Sequence, residues 1–226
     1  MNHKTRLYIF GCGVTARAIH AYFKHYSQYS IEGFVVDEKY YSACVMDGIP
    51  LLSYQRLTAT DKARYSFVVC IGYSRLNLDR ATIYQRLVTD GWSVVSLYDK
   101  SYEDLFIEVG EGSIIMPGAS VQPHSKIGRC VTIWPGAIIG HDTSIGDYCW
   151  LTAGSAIGGN SVVGDHTFLG INSVVADGVR IGKSNLIGGG VYVSKCTNDN
   201  EAFLQESASA ARMGAQQFAK FTDFGG

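Results

Sequence analysis

Charge of either sign is scarce in this chain of 226 residues: Asp, Glu, Lys and Arg together make up 17%, and the formal net charge is −1. Such a surface has no field to gather nucleic acid, and no Lys/Arg run or aromatic-basic motif compensates, so no nucleic-acid partner is expected. Long apolar runs are missing as well. None approaches the roughly 18 residues that a membrane span needs, so no span is expected. The six cysteines, Cys12, Cys44, Cys70, Cys130, Cys149 and Cys196, show no CxxC spacing. The N-terminus has neither a charged leader region nor an apolar one, and reduced thiols in a cytoplasm are the expectation.

Against this background one pattern stands out. Ile, Leu or Val occupies every sixth position from Val109 through Ile115, Val121 and Ile127 to Ile181, Ile187 and Val193, fifteen times without a miss. Four residues after each aliphatic comes a small or β-branched residue, as at Ser113, Ser125, Thr143, Cys149, Ser161 and Thr167. Glycine often follows the aliphatic directly, as at Gly128, Gly140 and Gly164, where corners need an unhindered backbone. One bulky and one compact inward position per hexad describes short strands and turns stacked coil upon coil, a parallel β-solenoid.

Residues 1–98 read differently, as an α/β unit. Arg6 to Phe10 is a short apolar strand, Gly11-Cys12-Gly13 a turn, and Val14 to Phe23 a helix with Ile19 and Phe23 on one face. Gly33 to Asp37 gives a second strand with an acidic end, and Gly48 to Leu51 a short third segment. Ser66 to Ile71 reads as a buried central strand, Leu78 to Thr89 as a helix and Trp92 to Leu97 as a last strand. Together they predict a small, Rossmann-like open parallel sheet. Asp99 to Glu108 is a linker, residues 109–196 form the solenoid, and residues 197–226 form a tail of helical pattern.

Two places carry chemistry. Gly11-Cys12-Gly13-Val14-Thr15 follows a strand and opens a helix, so its N–H groups and the helix dipole suit an anion, and Asp37 or Glu38 ends the next strand where a ribose or base could be held. The third glycine of the dinucleotide fingerprint is replaced by Ala16, and a bare structural turn remains an equal alternative. His141 lies two residues after inward Ile139, so it projects outward, and Asp142 follows it. An imidazole with a pKa near 6.5 suits proton removal from an amine or hydroxyl at neutral pH, and a neighbouring carboxylate orients it. His124 and His166 also point outward and read as surface histidines. The three are 17 and 25 residues apart, without the close pair that a zinc site shows, so no metal is expected.

Pro135-Gly136-Ala137-Ile138-Ile139-Gly140-His141-Asp142, Phe168 to Ser173, and Leu186 to Gly190 resemble the bacterial hexapeptide acyltransferases with a left-handed parallel β-helix. Gly33 to Tyr40, Gly48-Ile49-Pro50, and Ile71-Gly72-Tyr73 with Arg75, Asn77 and Arg80 narrow the resemblance to the sugar N- and O-acyltransferases. That family contains N-acetyltransferases of nucleotide-linked 4-amino-4,6-dideoxy sugars and sialic acid O-acetyltransferases. The resemblance implies an α/β Rossmann-like N-terminal domain, a left-handed parallel β-helix of about five coils, and a homotrimer with acyl-CoA, most simply acetyl-CoA, between adjacent prisms. It implies His141 as general base beside Asp142, with Trp150, Gly159, Ile171 and Gly189 along the acyl-CoA path. Gly13, Val14, Thr15, Asp37 and Glu38 would then bind the nucleotide sugar. Trp150 departs from a histidine that relatives place near the acyl group. Assembly of a bacterial surface glycan such as O-antigen is the implied setting. O-acetylation of a sugar hydroxyl keeps the same fold and base, and a non-catalytic trimeric scaffold accounts for the hexads alone.

Overall fold

The computed structural model describes residues 5–24, 28–210, 212, 214 and 215. The N-terminal part contains β1 (Thr5–Phe10), α1 (Val14–Phe23), β2 (Tyr29–Val36), β3 (Val45–Met46), β4 (Ile49–Ser53), α2 (Ala59–Arg64), β5 (Ser66–Val69) and α3 (Leu78–Thr89). The sheet runs β3-β4-β2-β1-β5, parallel except where β3 meets β4. Its strands alternate between two covered faces. Leu7, Ile9, Phe34 and Val68 pack with Ile19 and Phe23 of α1, while Tyr8, Phe10, Val35, Phe67 and Val69 pack with Tyr84 and Leu87 of α3. Both faces being covered explains why these strands read as continuous apolar runs.

Two strand expectations change. The strand from Ser66 is flanked by β1 on one side and only an isolated bridge, Phe67 to Val94, on the other, so β1 and β2 are the central strands. Trp92 to Leu97 forms no continuous strand. It makes that bridge and a second one from Leu97 to Ile114, which hydrogen-bonds the α/β part directly onto the first coil. The linker contains a 3₁₀ helix, Lys100–Leu105.

From Glu108 onward the chain winds as a left-handed parallel β-helix. Two-residue strands pair with the strand 18 residues later, as Ile114 with Thr132, Thr132 with Trp150, and Trp150 with Phe168. Three sheets form the three faces of a prism. The periodic aliphatics fill it: Ile133, Ile139, Leu151, Leu169 and Ile187 are wholly buried.

The compact register has a role that its size alone did not show. Ser113, Ser125, Thr143, Ser161 and Thr167 each donate a side-chain hydrogen bond of 2.7–3.1 Å to a carbonyl 15 residues ahead, and Cys149 makes the same contact through its thiol. These groups satisfy corner carbonyls that would otherwise lie unpaired in the interior. The glycines after the aliphatics answer to close approach, not to unusual dihedrals. A Cβ on Gly140 would lie 2.5 Å from the Gly159 nitrogen, and one on Gly164 2.6 Å from that of Lys183.

The tail differs from the expected helix where it is described. Ala202–Phe203 pairs with Leu186–Ile187 and adds a strand over the open end of one face, and residues 203–210 hold no helix. Most of the segment beyond lies outside the described residues.

Candidate active site

The outer edge of the prism where His141 sits is built by the coil register. Asp142 takes φ +56°, a turn position shared by Asn160 one coil above, and this bends the chain so that both side chains of the His-Asp pair point outward. The Asp142 Oδ2 atom lies 2.9 Å from His141 Nδ1, and both side chains are about half exposed, at 56% and 52%. The Gln122 Oε1 atom accepts the His141 backbone N–H, and the Asn160 N–H donates to the His141 carbonyl. The ring is thereby fixed at its base, with Nδ1 engaged by Asp142 and Nε2 beside Gly159.

Gly159 lies directly against that ring. A Cβ there would sit 2.8 Å from His141 Nε2, so any side chain at 159 displaces the imidazole. Beside them runs an open groove of about 520 Å³, walled by Ile138, Val174 and Tyr192 and edged by Gln122 and Asp177. Ile138, Val174 and Tyr192 are exposed apolar residues in one column, with Ala156 in the coil between the first two, which the hexad phase alone makes legible.

A second cleft of about 450 Å³ opens at the C-terminal ends of β1, β2 and β5. Gly11, Cys12, Asp37, Lys39, Tyr40 and Ile71 line it, with Thr82 and Ile83 of α3 opposite. Gly11 has φ +116°, and a Cβ on it would press 2.9 Å from the Cys70 carbonyl, which is why glycine begins this turn. Gly13 precedes α1 with no side-chain cap, and Val14 is 84% exposed, so the first N–H groups of the helix face open space. Asp37 is held by Arg86 at 2.8 Å and by the amide of Gln55 at 3.2 Å. Arg86 itself lies over the rings of Phe10 and Tyr54.

The expected site residues therefore fall into separate groups. Gly13, Val14 and Thr15 flank the cleft that Asp37 lines, but Glu38 is turned away from it. Glu38 accepts from Arg56 and Ser53, and these bonds lower its pKa below the usual carboxylate range. His141 and Gly159 share the groove. Ile171, exposed, and Gly189 touch each other at the opposite edge of the same prism face, where a Cβ on Gly189 would be 3.1 Å from Ile171.

Trp150 is a correction. It lies on the face that the α/β part covers, only 3% exposed, beneath Arg80 at 5.1 Å and Tyr73 at 5.4 Å, and away from the His141 groove. Its strand partner Thr132 and the Cys149 and Tyr148 carbonyls bind Arg80, so this face is packing surface. Arg80 is likewise not a cleft residue: it is fully buried and bridges the two parts.

No buried thiol is placed to act as a nucleophile. Burial pushes the Cys149 pKa up to about 12 and raises those of Cys70 and Cys130. Among the described residues, no group of three His, Cys, Asp or Glu could hold a metal ion, and no helix is long and apolar enough to cross a membrane.

The coil sequence matches the bacterial transferase hexapeptide family, described as six repeats, over residues 106–141, 124–159 and 160–195. Among curated proteins no match to the chain was found. Three solved structures share its architecture. A perosamine N-acetyltransferase from Caulobacter crescentus was solved with CoA and GDP-perosamine and with one histidine replaced by asparagine. It is 25% identical, with a TM-score of 0.74 over 87% of this chain and 91% of that one. The acetyltransferase domain of PglB from Neisseria gonorrhoeae, in complex with acetyl coenzyme A, is 16% identical with a TM-score of 0.74, over 88% and 96% of the two chains. WeeI from Acinetobacter baumannii is 23% identical with a TM-score of 0.68, again over 88% and 96%. At those lower identities the last two speak for the shared fold.

Proposed function

We propose that the chain, whose residues 106–195 match the bacterial transferase hexapeptide family, is an acyltransferase carrying an acyl group, most simply acetyl, from acyl-CoA to the amino group of a nucleotide-linked amino-dideoxy sugar. The observation that carries this reading is an outward His141-Asp142 pair, with Gly159 against the ring, opening on a groove of about 520 Å³. The 25% identical perosamine N-acetyltransferase, with its CoA and GDP-perosamine, supports the donor and acceptor classes.

The chemistry follows from the ring's anchoring. Asp142 holds the proton on His141 Nδ1, which leaves the Nε2 lone pair free at the groove. As the acceptor amine attacks the thioester carbon, Nε2 takes a proton from the nitrogen. The tetrahedral adduct then collapses, the C–S bond breaks, and the imidazolium returns its proton to the departing sulfur. The Gly159 N–H, next to the ring, is the oxyanion donor in this reading. No enzyme nucleophile is required.

One chain does not suffice. The cleft and the groove share no lining residue, and Ile171 and Gly189 stand across the prism face from His141. In a homotrimer the His141 edge of one prism faces the Ile171 edge of the next, and acyl-CoA lies between them. The apolar column of Ile138, Val174 and Tyr192 is then covered.

Replacing His141 by Ala should lower kcat about 10²- to 10⁴-fold, the usual contribution of a general base. Acyl-CoA affinity and the mass in solution should stay unchanged. A rate within a few-fold of the parent removes His141 from this role. Mass spectrometry of the product identifies the acylated atom.

A further inference from the structure

Two aspartates at the prism corners, each two residues after an inward aliphatic, tie their coil to the one before it. Asp147 accepts the Arg129 N–H at 2.7 Å and pairs with its guanidinium at 2.6 Å. Asp165 accepts the Asp147 N–H at 3.0 Å and pairs with the Lys183 ammonium at 2.9 Å. Asp177, two residues after buried Val175, holds the same position on the His141 edge. The Gly178 N–H donates to the Gly159 carbonyl at 2.9 Å, which sets this corner directly above Gly159, and Asp177 Oδ1 is the nearest atom to where a Cβ on Gly158 would stand. Unlike the other two, the exposed Asp177 side chain has no hydrogen bond or ion pair among the described residues. Coil stacking gives it no work.

Asp177 does line the groove of His141, and it is the one carboxylate residue that does so. The groove takes Gln122 from below the level of the ring, and from above it Gly159, then Val174 and Asp177, then Tyr192. Strand pairing of Ile138 with Ala156, Ala156 with Val174, and Val174 with Tyr192 puts these levels one coil apart. An extended arm whose reacting end lies at His141 therefore finds the length of the groove upward, past Asp177. Each coil adds about 4.8 Å of rise. With the thioester oxygen on the Gly159 N–H, the first amide of a pantetheine arm, whose nitrogen is four bonds from the thioester carbon, arrives about one coil higher. The wall there is apolar, formed by Val174 and Tyr192.

We infer that Asp177 positions the acyl donor by accepting the N–H of the amide nearest the thioester, which holds the thioester carbon opposite His141 Nε2. The inference rests on the function proposed above and adds to it a contact that sets how far the arm slides along the groove. An amide N–H laid on the apolar wall without a partner gives up its bond to water, and a carboxylate is a stronger acceptor than a neutral oxygen. Fixing the arm in register with the base converts binding into proximity.

The test compares two truncated donors on the full chain: S-acetyl-N-acetylcysteamine, which keeps that amide, and its ester counterpart, which has oxygen in place of the N–H. Acceptors are the GDP-, UDP- and dTDP-linked 4-amino-4,6-dideoxy sugars, and the one that the parent turns over fastest with acetyl-CoA is used throughout. In the parent, kcat/KM for the amide donor should exceed that for the ester about tenfold, the weight of a hydrogen bond to a charged group. Asp177→Ala should use the two donors alike and should raise KM for acetyl-CoA about tenfold. Asp177→Asn, which keeps an oxygen acceptor, should retain a preference of about threefold. KM for the nucleotide sugar should hold in both variants. The same donor preference in the parent and in Asp177→Ala overturns the contact. So does an equal fall on both donors in Asp177→Asn with a shifted pH midpoint, because the carboxylate would then act through the charge on His141. No acetyl transfer by the parent from acetyl-CoA to any of the three acceptors sinks the proposed function, and the role of Asp177 with it.

Discussion

Ile133 in the coils pairs below with Ile115 and above with Leu151, which pairs in turn with Leu169. Phe67 in the α/β sheet instead touches Tyr8, Phe10, Tyr54 and Trp92 at four different ring angles, a set found nowhere else among the described residues. The coils thus repeat one environment by translation, while the sheet assembles unique ones. This difference decides where chemistry fits. On the prism, a functional group must leave the core register alone, and His141, Asp142 and Gly159 all lie at a corner. In the α/β part the site forms where strand ends leave a crevice, at Gly11, Asp37 and Ile71.

The comparison predicts different responses to damage. Leu151→Ala empties a wholly buried position between two coils and should cost about 2–5 kcal/mol in urea unfolding. If the coils act as stacked near-neighbour units, hydrogen exchange should rise mainly in the coils above and below, with the β1 and β2 amides still protected. Equal loss of protection in both parts would break the distinction.

A smaller effect is expected at the seam. Arg80 crosses it from α3, donating to the Tyr148 and Cys149 carbonyls at 2.9 Å and to Thr132 at 3.2 Å, with its guanidinium over Trp150. It has no carboxylate partner in these contacts, and burial lowers its pKa. Arg80→Met keeps the packing stem and removes the bonds, at a cost of about 1–3 kcal/mol for the carbonyls left unmet. Calorimetry should then resolve two transitions where the parent shows one. A single cooperative transition in the variant would mean that the Leu97 to Ile114 bridge suffices to couple the parts.

How much of this was legible beforehand follows the same division. The translational repeat let the sequence announce the coil register, the inward residues and the outward phase of His141, because each hexad position tests the others. α1 and α3 were legible too, since their apolar spacing and flanking glycine or polar residues agree with their ends. Trp150 was set on the acyl-CoA path because residue type does not show which prism face a neighbouring domain covers, and nothing in the sequence shows that Arg80 will find carbonyls inside. Glu38 was paired with the cleft by adjacency to Asp37, but the 3₁₀ turn that begins at Glu38 swings it to Arg56. Lys39 and Tyr40 of the cleft come from the 3₁₀ turn after β2 and Ile83 from α3, and no spacing in one sequence brings the two elements together.

The smallest effect sharpens the contrast through pH. His20 of α1 is 4% exposed and packs edge-to-face on Phe34 at 5.4 Å, and burial lowers its pKa below the usual 6.5 despite the attraction of Asp47. The imidazoles of the coils, at 124, 141 and 166, are exposed or half-exposed. Below pH of about 6.5 the unfolded chain binds a proton at His20 that the folded chain refuses. Stability from this group is therefore complete above that pH and declines as pH falls towards the folded value, by at most about 1.4 kcal/mol per pH unit. In the Arg80→Met background, where the two parts melt separately, acidification from pH 7.5 to 5.5 should lower the α/β transition, and His20→Leu should remove that dependence. An acid shift of the same size in the coil transition, or one that survives His20→Leu, would place the pH-sensitive group elsewhere.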